Sequence, residues 1–93
     1  MDFSQSVINQ VWEKATPIQG VDPNQKRKDK CGAVIAKASY GMQTRYGWEI
    51  DHINPISRGG SNNISNLQPL HWENNRSKAD GPDRPSQYCV KRN

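Results

Sequence analysis

Large apolar side chains are scarce in this chain. Hydrophobic residues make up 32% of its 93 positions, there is one phenylalanine, and the mean hydropathy is −1.01. Ninety-three residues give one domain at most, and so thin an apolar supply leaves even that one short of core. A bound metal or partner can make up part of the deficit. No apolar run reaches the roughly 20 residues of a bilayer-spanning helix. The opening residues, Met1 to Ser6, lack the charged-then-apolar pattern of a secretory signal. Both absences lead to the expectation of a cytoplasmic protein with no membrane contact, export by a signal-less route being left open. Cysteine is equally sparse: Cys31 and Cys89 stand far apart, with no C-x-x-C pair. That rules out a four-cysteine zinc site. One disulfide is arithmetically open, but two reduced thiols packed as small apolar groups are the expectation for a cytosolic chain. The positive surplus is modest, 13 Lys and Arg against 9 Asp and Glu for a net charge of +4. It favours polyanions only weakly.

What is present is patterned. Phe3, Val7, Ile8, Val11, Trp12 and Ala15 recur at spacings of three and four. This predicts an amphipathic helix over about 3–15, capped by Asp2 or Ser4, with its stripe on the core; a docking surface is the alternative use of that stripe. Thr16-Pro17 ends the helix, and turn-formers carry the chain through Asn24 as a loop. The densest basic run follows, Lys26 to Lys30. Its Lys26, Arg27 and Lys28 either grip a phosphate backbone or form a solvated loop face. The short apolar run Cys31 to Ala38 tilts towards a helix on its alanines. Two Tyr-Gly pairs, at Tyr40 and Tyr46, read as turns. Tyr46 to Ile53 alternates as a strand, with Trp48 and Ile50 inward and Glu49 to solvent. A long loop, Asn54 to Asn63, carries Pro55, Gly59 and Gly60, with Arg58 near its tip. A second strand is expected at Asn63 to Leu67. A helix is expected from Pro69 to about Asp80, stopped by Gly81-Pro82, with Leu70 inward and Trp72 a candidate to join it. Beyond it the chain is polar, with Tyr88 to Val90 a candidate edge strand.

Both histidines and most groups able to hold a metal or move a proton lie between Trp48 and Asp80. In order, this stretch reads D-H-I-x-P at His52, G-G in the loop, N-L-Q-P-L from Asn66, and N-x-x-K from Asn75 to Lys78. That series resembles the HNH endonuclease family over about a third of the chain, with the three letters falling on His52, Asn66 and Asn75. The resemblance implies an α+β fold: a small single domain over 1–93 with a central ββα-metal finger at about 46–80 beside the N-terminal helix. It implies hydrolysis of phosphodiester bonds in DNA with one divalent metal ion, Mg²⁺ or Mn²⁺ first and Ni²⁺ or Zn²⁺ as alternatives.

The residue chemistry fits those roles. A neutral imidazole is well suited to take a proton near pH 7, so His52 is the expected general base. Asp51 and the amide oxygen of Asn75 are expected ligands for a hard cation. Asn66, like its family counterpart, would hold the imidazole in one tautomer. Lys78, one turn beyond Asn75, would meet a phosphate as a point charge, with Arg58, Arg76 and the 26–28 run as further nucleic-acid contacts. Successive strand residues face opposite ways, so Asp51 and His52 must act where the strand ends, which Pro55 marks. His71 precedes Asn75 by one turn and is either a third ligand or a cap at the helix start. As a ligand it would favour zinc, nickel or manganese; without it two oxygens remain, which suit magnesium. Two rivals stand beside this reading. One is a non-catalytic nucleic-acid-binding module of the same fold. The other is the nuclease domain as an antibacterial toxin, which would need an acidic immunity or inhibitor protein as partner.

Overall fold

A computed structural model describes residues 2–93, and it opens on α1, Gln5–Trp12. The Ser4 hydroxyl caps this helix by accepting the Val7 N–H, and Val11 and Trp12 turn inward. The helix is shorter than its periodicity predicts because Lys14 and Ala15 leave it in turns closed on the carbonyls of Val11 and Trp12.

Three short strands then form one antiparallel sheet in the order β1 (Thr16–Pro17), β2 (Lys26–Lys28), β3 (Val34–Ala36). Lys26–Lys28 of the basic run lie in a strand and not in a loop face, and the run expected to be a short helix forms β3 in its middle, with only its end in a 3-10 turn, Lys37–Ser39. Val34 and Ile35 are β-branched, and they pair with Lys28 and Arg27. Ladder pairing plus full burial of Ile35 outweighs the weak helical preference of the alanines.

The centre of the fold is a ββα unit. β4 (Trp48–His52) pairs antiparallel with β5 (Leu67–His71), and α2 (Trp72–Lys78) follows directly. Trp48 lies opposite His71, Ile50 opposite Pro69, Asp51 opposite Gln68 and His52 opposite Leu67. The second strand therefore begins where the sequence placed its end; Ile64–Asn66 is a 3-10 turn instead. Pro69 sits inside a strand and not in a first helical turn. A two-stranded ladder leaves alternate N–H groups on its outer edge, so a proline there forfeits no ladder bond. The helix ends at Lys78, two residues early, where Ala79 takes φ +50°.

The two faces of this hairpin are used differently. Trp48, Ile50 and Leu67 pack on Val11, Trp12, Ala15 and Ile35, with the Trp12 and Trp48 rings 5.4 Å apart. Glu49 and Asp51 face α2, as their bonds to its side chains show. The C-terminal segment is not an edge strand: α3 (Pro85–Tyr88) starts on its proline, and Tyr88 packs with Leu70. Nor are the cysteines reduced. The turn before β3 and the C-terminal segment meet with Cys31 and Cys89 Cα atoms 5.5 Å apart, joined by a disulfide. Closing so long a loop restricts the unfolded chain by about 4 kcal/mol. A chain with little apolar surface to bury gains from such a staple.

Candidate active site

The loop from Asn54 to Asn63 is held by Asn66. Its amide nitrogen donates to the carbonyls of Asn54 (3.0 Å) and Ser61 (2.8 Å), and its Oδ1 accepts the Asn54 N–H at 2.9 Å. Gly60 closes the same loop; a Cβ there would stand 1.8 Å from the Asn54 carbonyl oxygen, so no other residue fits. Asn66 is thus spent on the backbone and does not touch the imidazole. That contact belongs to Asn62, which the clamped loop delivers: its Oδ1 lies 2.7 Å from His52 Nε2. An amide oxygen only accepts, so Nε2 carries a proton, and in the neutral imidazole Nδ1 is then the nitrogen with the lone pair. Asn62 escaped sequence reasoning because one asparagine among several in a turn-rich loop carries no signal of its own.

Asp51 is buried. Its Oδ2 accepts from Gln68 Nε2 at 2.8 Å and pairs with Lys78 Nζ at 3.2 Å. Burial pushes this carboxyl above the usual aspartate range, against the opposing pull of Gln68 and Lys78. Lys78 also donates to the His52 carbonyl at 2.9 Å, and its side chain is inaccessible to solvent. It is therefore an internal counter-charge, not the exposed phosphate contact the sequence suggested. A buried ion pair of this kind locates its two groups more than it stabilises the fold. Glu49, expected at the solvent face of the strand, is half-buried and bridges two residues of α2, accepting from Asn75 Nδ2 (2.9 Å) and Arg76 (3.1 Å). This turns the Asn75 amide so that its oxygen points away from Glu49. Among the described residues no hydrogen bond reaches Asp51 Oδ1, His52 Nδ1 or Asn75 Oδ1.

His71 is placed elsewhere. It is fully buried, its Nδ1 caps α2 by accepting the Glu73 N–H at 3.1 Å, and its Nε2 donates to the Arg45 carbonyl at 2.8 Å. Both nitrogens are committed, so of its two expected roles the geometry matches the cap. It precedes α2 and does not share a helical face with Asn75, because the helix starts later than Pro69. Beside it, Asp29 takes N–H groups of Cys31, Ala33 and His71 and the Asn74 amide, each at 2.9–3.0 Å. Asn74 in turn holds Val90 and Lys91. Neither Asp29 nor Asn74 was singled out from the sequence.

The basic side chains divide too. Arg27 is structural, donating to the carbonyls of Glu13, Ala15 and Pro23. Lys26 lies over the Tyr46 ring. Lys28 is exposed on β2, Arg58 is exposed in the 3-10 turn Ile56–Arg58, and Arg76 is exposed beside Glu49.

A cleft of about 390 Å³ runs between the end of β4, the loop and α2, lined by Asp51, His52, Pro55, Ile56, Asn75 and Arg76 among others. It gathers a proton acceptor, a carboxylate, an amide oxygen and a guanidinium, which is the equipment for hydrolysing a phosphate diester. No curated protein and no solved structure matches the chain. The model of one family, described as HNH endonuclease, matches residues 29–81, more than half of the chain, and the chain belongs to that family.

Proposed function

We propose that this protein is a metal-dependent endonuclease that hydrolyses phosphodiester bonds in DNA, with His52 as general base. The observation that carries this is the placement of the imidazole: Asn62 holds Nε2–H, and Nδ1 has no hydrogen-bond partner among the described residues at a cleft that also holds Asp51 and Asn75. In the proposed reaction Nδ1 takes a proton from water as its oxygen attacks phosphorus, the P–O3′ bond breaks, the leaving O3′ takes a proton from solvent water, and His52 returns the proton it took to solvent, leaving a 5′-phosphate and a 3′-hydroxyl. Arg76, fixed by Glu49, supplies positive charge to the phosphate oxygens, and Arg58 extends that charge along the strand.

The residues fit a hard divalent ion. Asp51 and Asn75 each keep one oxygen without a hydrogen bond among the described residues, and both line the cleft. No group of three or more His, Cys, Asp or Glu suited to a metal occurs among those residues. A protein share of two oxygens suits Mg²⁺ or Mn²⁺, which retain water and take phosphate oxygens. With His71 committed elsewhere, the nitrogen ligand that would favour Ni²⁺ or Zn²⁺ drops out of the proposed set. When bound, the ion stabilises the charge that develops on the phosphate and the leaving oxygen. No helix among the described residues is long and apolar enough to cross a membrane. A disulfide persists in oxidising surroundings, so the Cys31–Cys89 bond favours work outside a reducing cytosol over the cytoplasmic expectation.

Supercoiled plasmid incubated with the protein and Mg²⁺ or Mn²⁺ tests the proposal. Relaxed or linear product from the wild type, and none from His52→Ala, is the expected result. A wild type that leaves the plasmid intact in every divalent ion while still retarding it in a gel would point to the binding-module alternative.

A further inference from the structure

The family segment ends at residue 81, yet the chain beyond it reaches back to Gln68, a hydrogen-bond partner of Asp51. Asp83 Oδ1 accepts from Gln68 Nε2 at 3.1 Å and from the Tyr88 hydroxyl at 2.6 Å, while its Oδ2 pairs with Lys30 at 2.7 Å. Gln68 gives its other N–H to Asp51 Oδ2 at 2.8 Å. The amide is buried, and its Oε1 has no hydrogen-bond partner. A buried polar atom left alone calls for an explanation. Two carboxylates supply it. They claim both N–H groups, and turning the amide over would set its oxygen against two carboxylate oxygens. Asp51 and Asp83 therefore fix Gln68 jointly. Without Asp83 the amide is free to turn towards a partner for Oε1, and Asp51 loses a donor.

The partners of Asp83 are themselves pinned. Lys30 precedes Cys31 and Tyr88 precedes Cys89, so the disulfide ties two of the three donors of Asp83 to each other. Tyr88, Cys31 and Leu70 form one buried cluster at that point, with Cys89 packed against it. Hydrogen bonding shows in the carboxyl itself: burial alone would raise it, but the bonds from Lys30, Tyr88 and Gln68 outweigh burial and hold it below the usual range. Tyr88 is pushed the opposite way, by burial first and by Asp83 next.

We propose that Asp83 is a positioning residue that fixes the Asp51 carboxylate through Gln68. The Cys31–Cys89 disulfide keeps Asp83 in place, so that the metal site is ordered in the oxidised protein and slack in the reduced one. This rests on the reading of Asp51 as a metal ligand. Reduction needs an outside two-electron donor, a dithiol, which closes to its own disulfide while Cys31 and Cys89 each gain a proton.

The test uses the full chain and Mn²⁺ titration by calorimetry, with near-UV circular dichroism as the check on fold. Loss of an outer partner of a metal ligand weakens binding about 10–100-fold. Asp83→Ala should lie in that range, and Asp83→Asn, whose amide oxygen can still accept from Gln68, should recover most of the loss. Wild type reduced by a dithiol should weaken like Asp83→Ala. Tyr88→Phe, which removes one hydrogen bond and keeps the ring, serves if Asp83→Ala does not fold, and should weaken Mn²⁺ by about threefold or more. Side-chain amide signals of Gln68 in ¹⁵N spectra give a readout without metal. Two distinct, slowly exchanging protons are expected in the oxidised wild type and lost in Asp83→Ala. A folded Asp83→Ala, or a folded Tyr88→Phe in its place, that binds Mn²⁺ like the wild type overturns the positioning role. A reduced wild type with undiminished affinity overturns the redox dependence. A wild type that takes up no Mn²⁺ removes the metal-site reading first, and this inference with it.

Discussion

Asp29, His71 and Asn74 at one end of the ββα unit, and Asp51, His52 and Asn75 at the other, are the same three residue types in opposite states. At the first end every polar atom the structure describes is used. Asp29 accepts four bonds, both nitrogens of His71 are engaged, and Asn74 ties Asp29 to the C-terminal segment. At the second end each residue is held by one side and has a second polar atom without a hydrogen bond among the described residues, and all three line the cleft. Full satisfaction in a buried place gives rigidity, because each lost partner exposes a desolvated group. Partial satisfaction at a cleft gives chemistry, because a lone pair without a partner can take a proton or a metal. Residue type alone does not separate the two ends; the state of the remaining lone pairs does.

Mutation should break this contrast in opposite ways. The largest expected effect is on rate at the cleft end. His52→Ala should slow plasmid cleavage by about 10²–10⁴-fold while the melting temperature barely moves. Cleavage within a few-fold of wild type would remove His52 as base. At the other end Asp29→Ala should leave the chemistry to whatever fraction stays folded but cost stability on the order of 3–5 kcal/mol, since four donors lose a charged acceptor. Urea unfolding with the disulfide intact measures it, and a loss under about 1 kcal/mol would show that water replaces the carboxylate there.

A smaller effect separates the two histidines directly. His71→Ala should cost roughly 2–4 kcal/mol, a helix cap together with the bond to the Arg45 carbonyl and the buried volume vacated, and leave Mn²⁺ affinity of the folded protein unchanged. A sharp drop in Mn²⁺ affinity would return His71 to the ligand set. The smallest expected effect concerns pH and Asp83. Its folded carboxyl is held below the usual range because hydrogen bonds from Lys30, Tyr88 and Gln68 override the raising effect of burial. The stability it contributes is therefore fully present above the unfolded-state value of about 3.9 and is lost as pH falls through the lowered folded value. Wild type and Asp83→Ala, unfolded by urea across an acid series, should differ at pH 6 and converge well below pH 4. A gap that stays constant with pH would assign the difference to packing alone.

The cleft end was legible in the sequence because it is written in local spacing. Asp51-His52 at a strand end, Asn66 and the N-x-x-K of α2 are short patterns whose geometry follows from strand and turn, and they led to the family that the match over 29–81 shows. The Ser4-capped helix was legible for the same reason, since a 3.6-residue period is a local property. Boundaries within the unit were not. Pro69 reads as a helix start in isolation, and only its pairing with Ile50 makes it a strand residue. The Cys31–Ala38 run likewise reads as helix until β2 is beside it.

What the sequence by itself determined was the identity of the cleft residues, the N-terminal helix and the small size of the core. What only the tertiary structure decided was which neighbour each polar group takes. Asn62 and not Asn66 meets His52. Lys78 turns inward to Asp51, and Arg27 turns inward to carbonyls near α1. His71 caps a helix, and Cys31 finds Cys89 across the whole fold. The physical reason is range. Backbone periodicity and turn chemistry act over a few residues and leave marks in the order of the chain, whereas hydrogen-bond partners and disulfides are settled by whichever groups burial brings within 3 Å or so of one another.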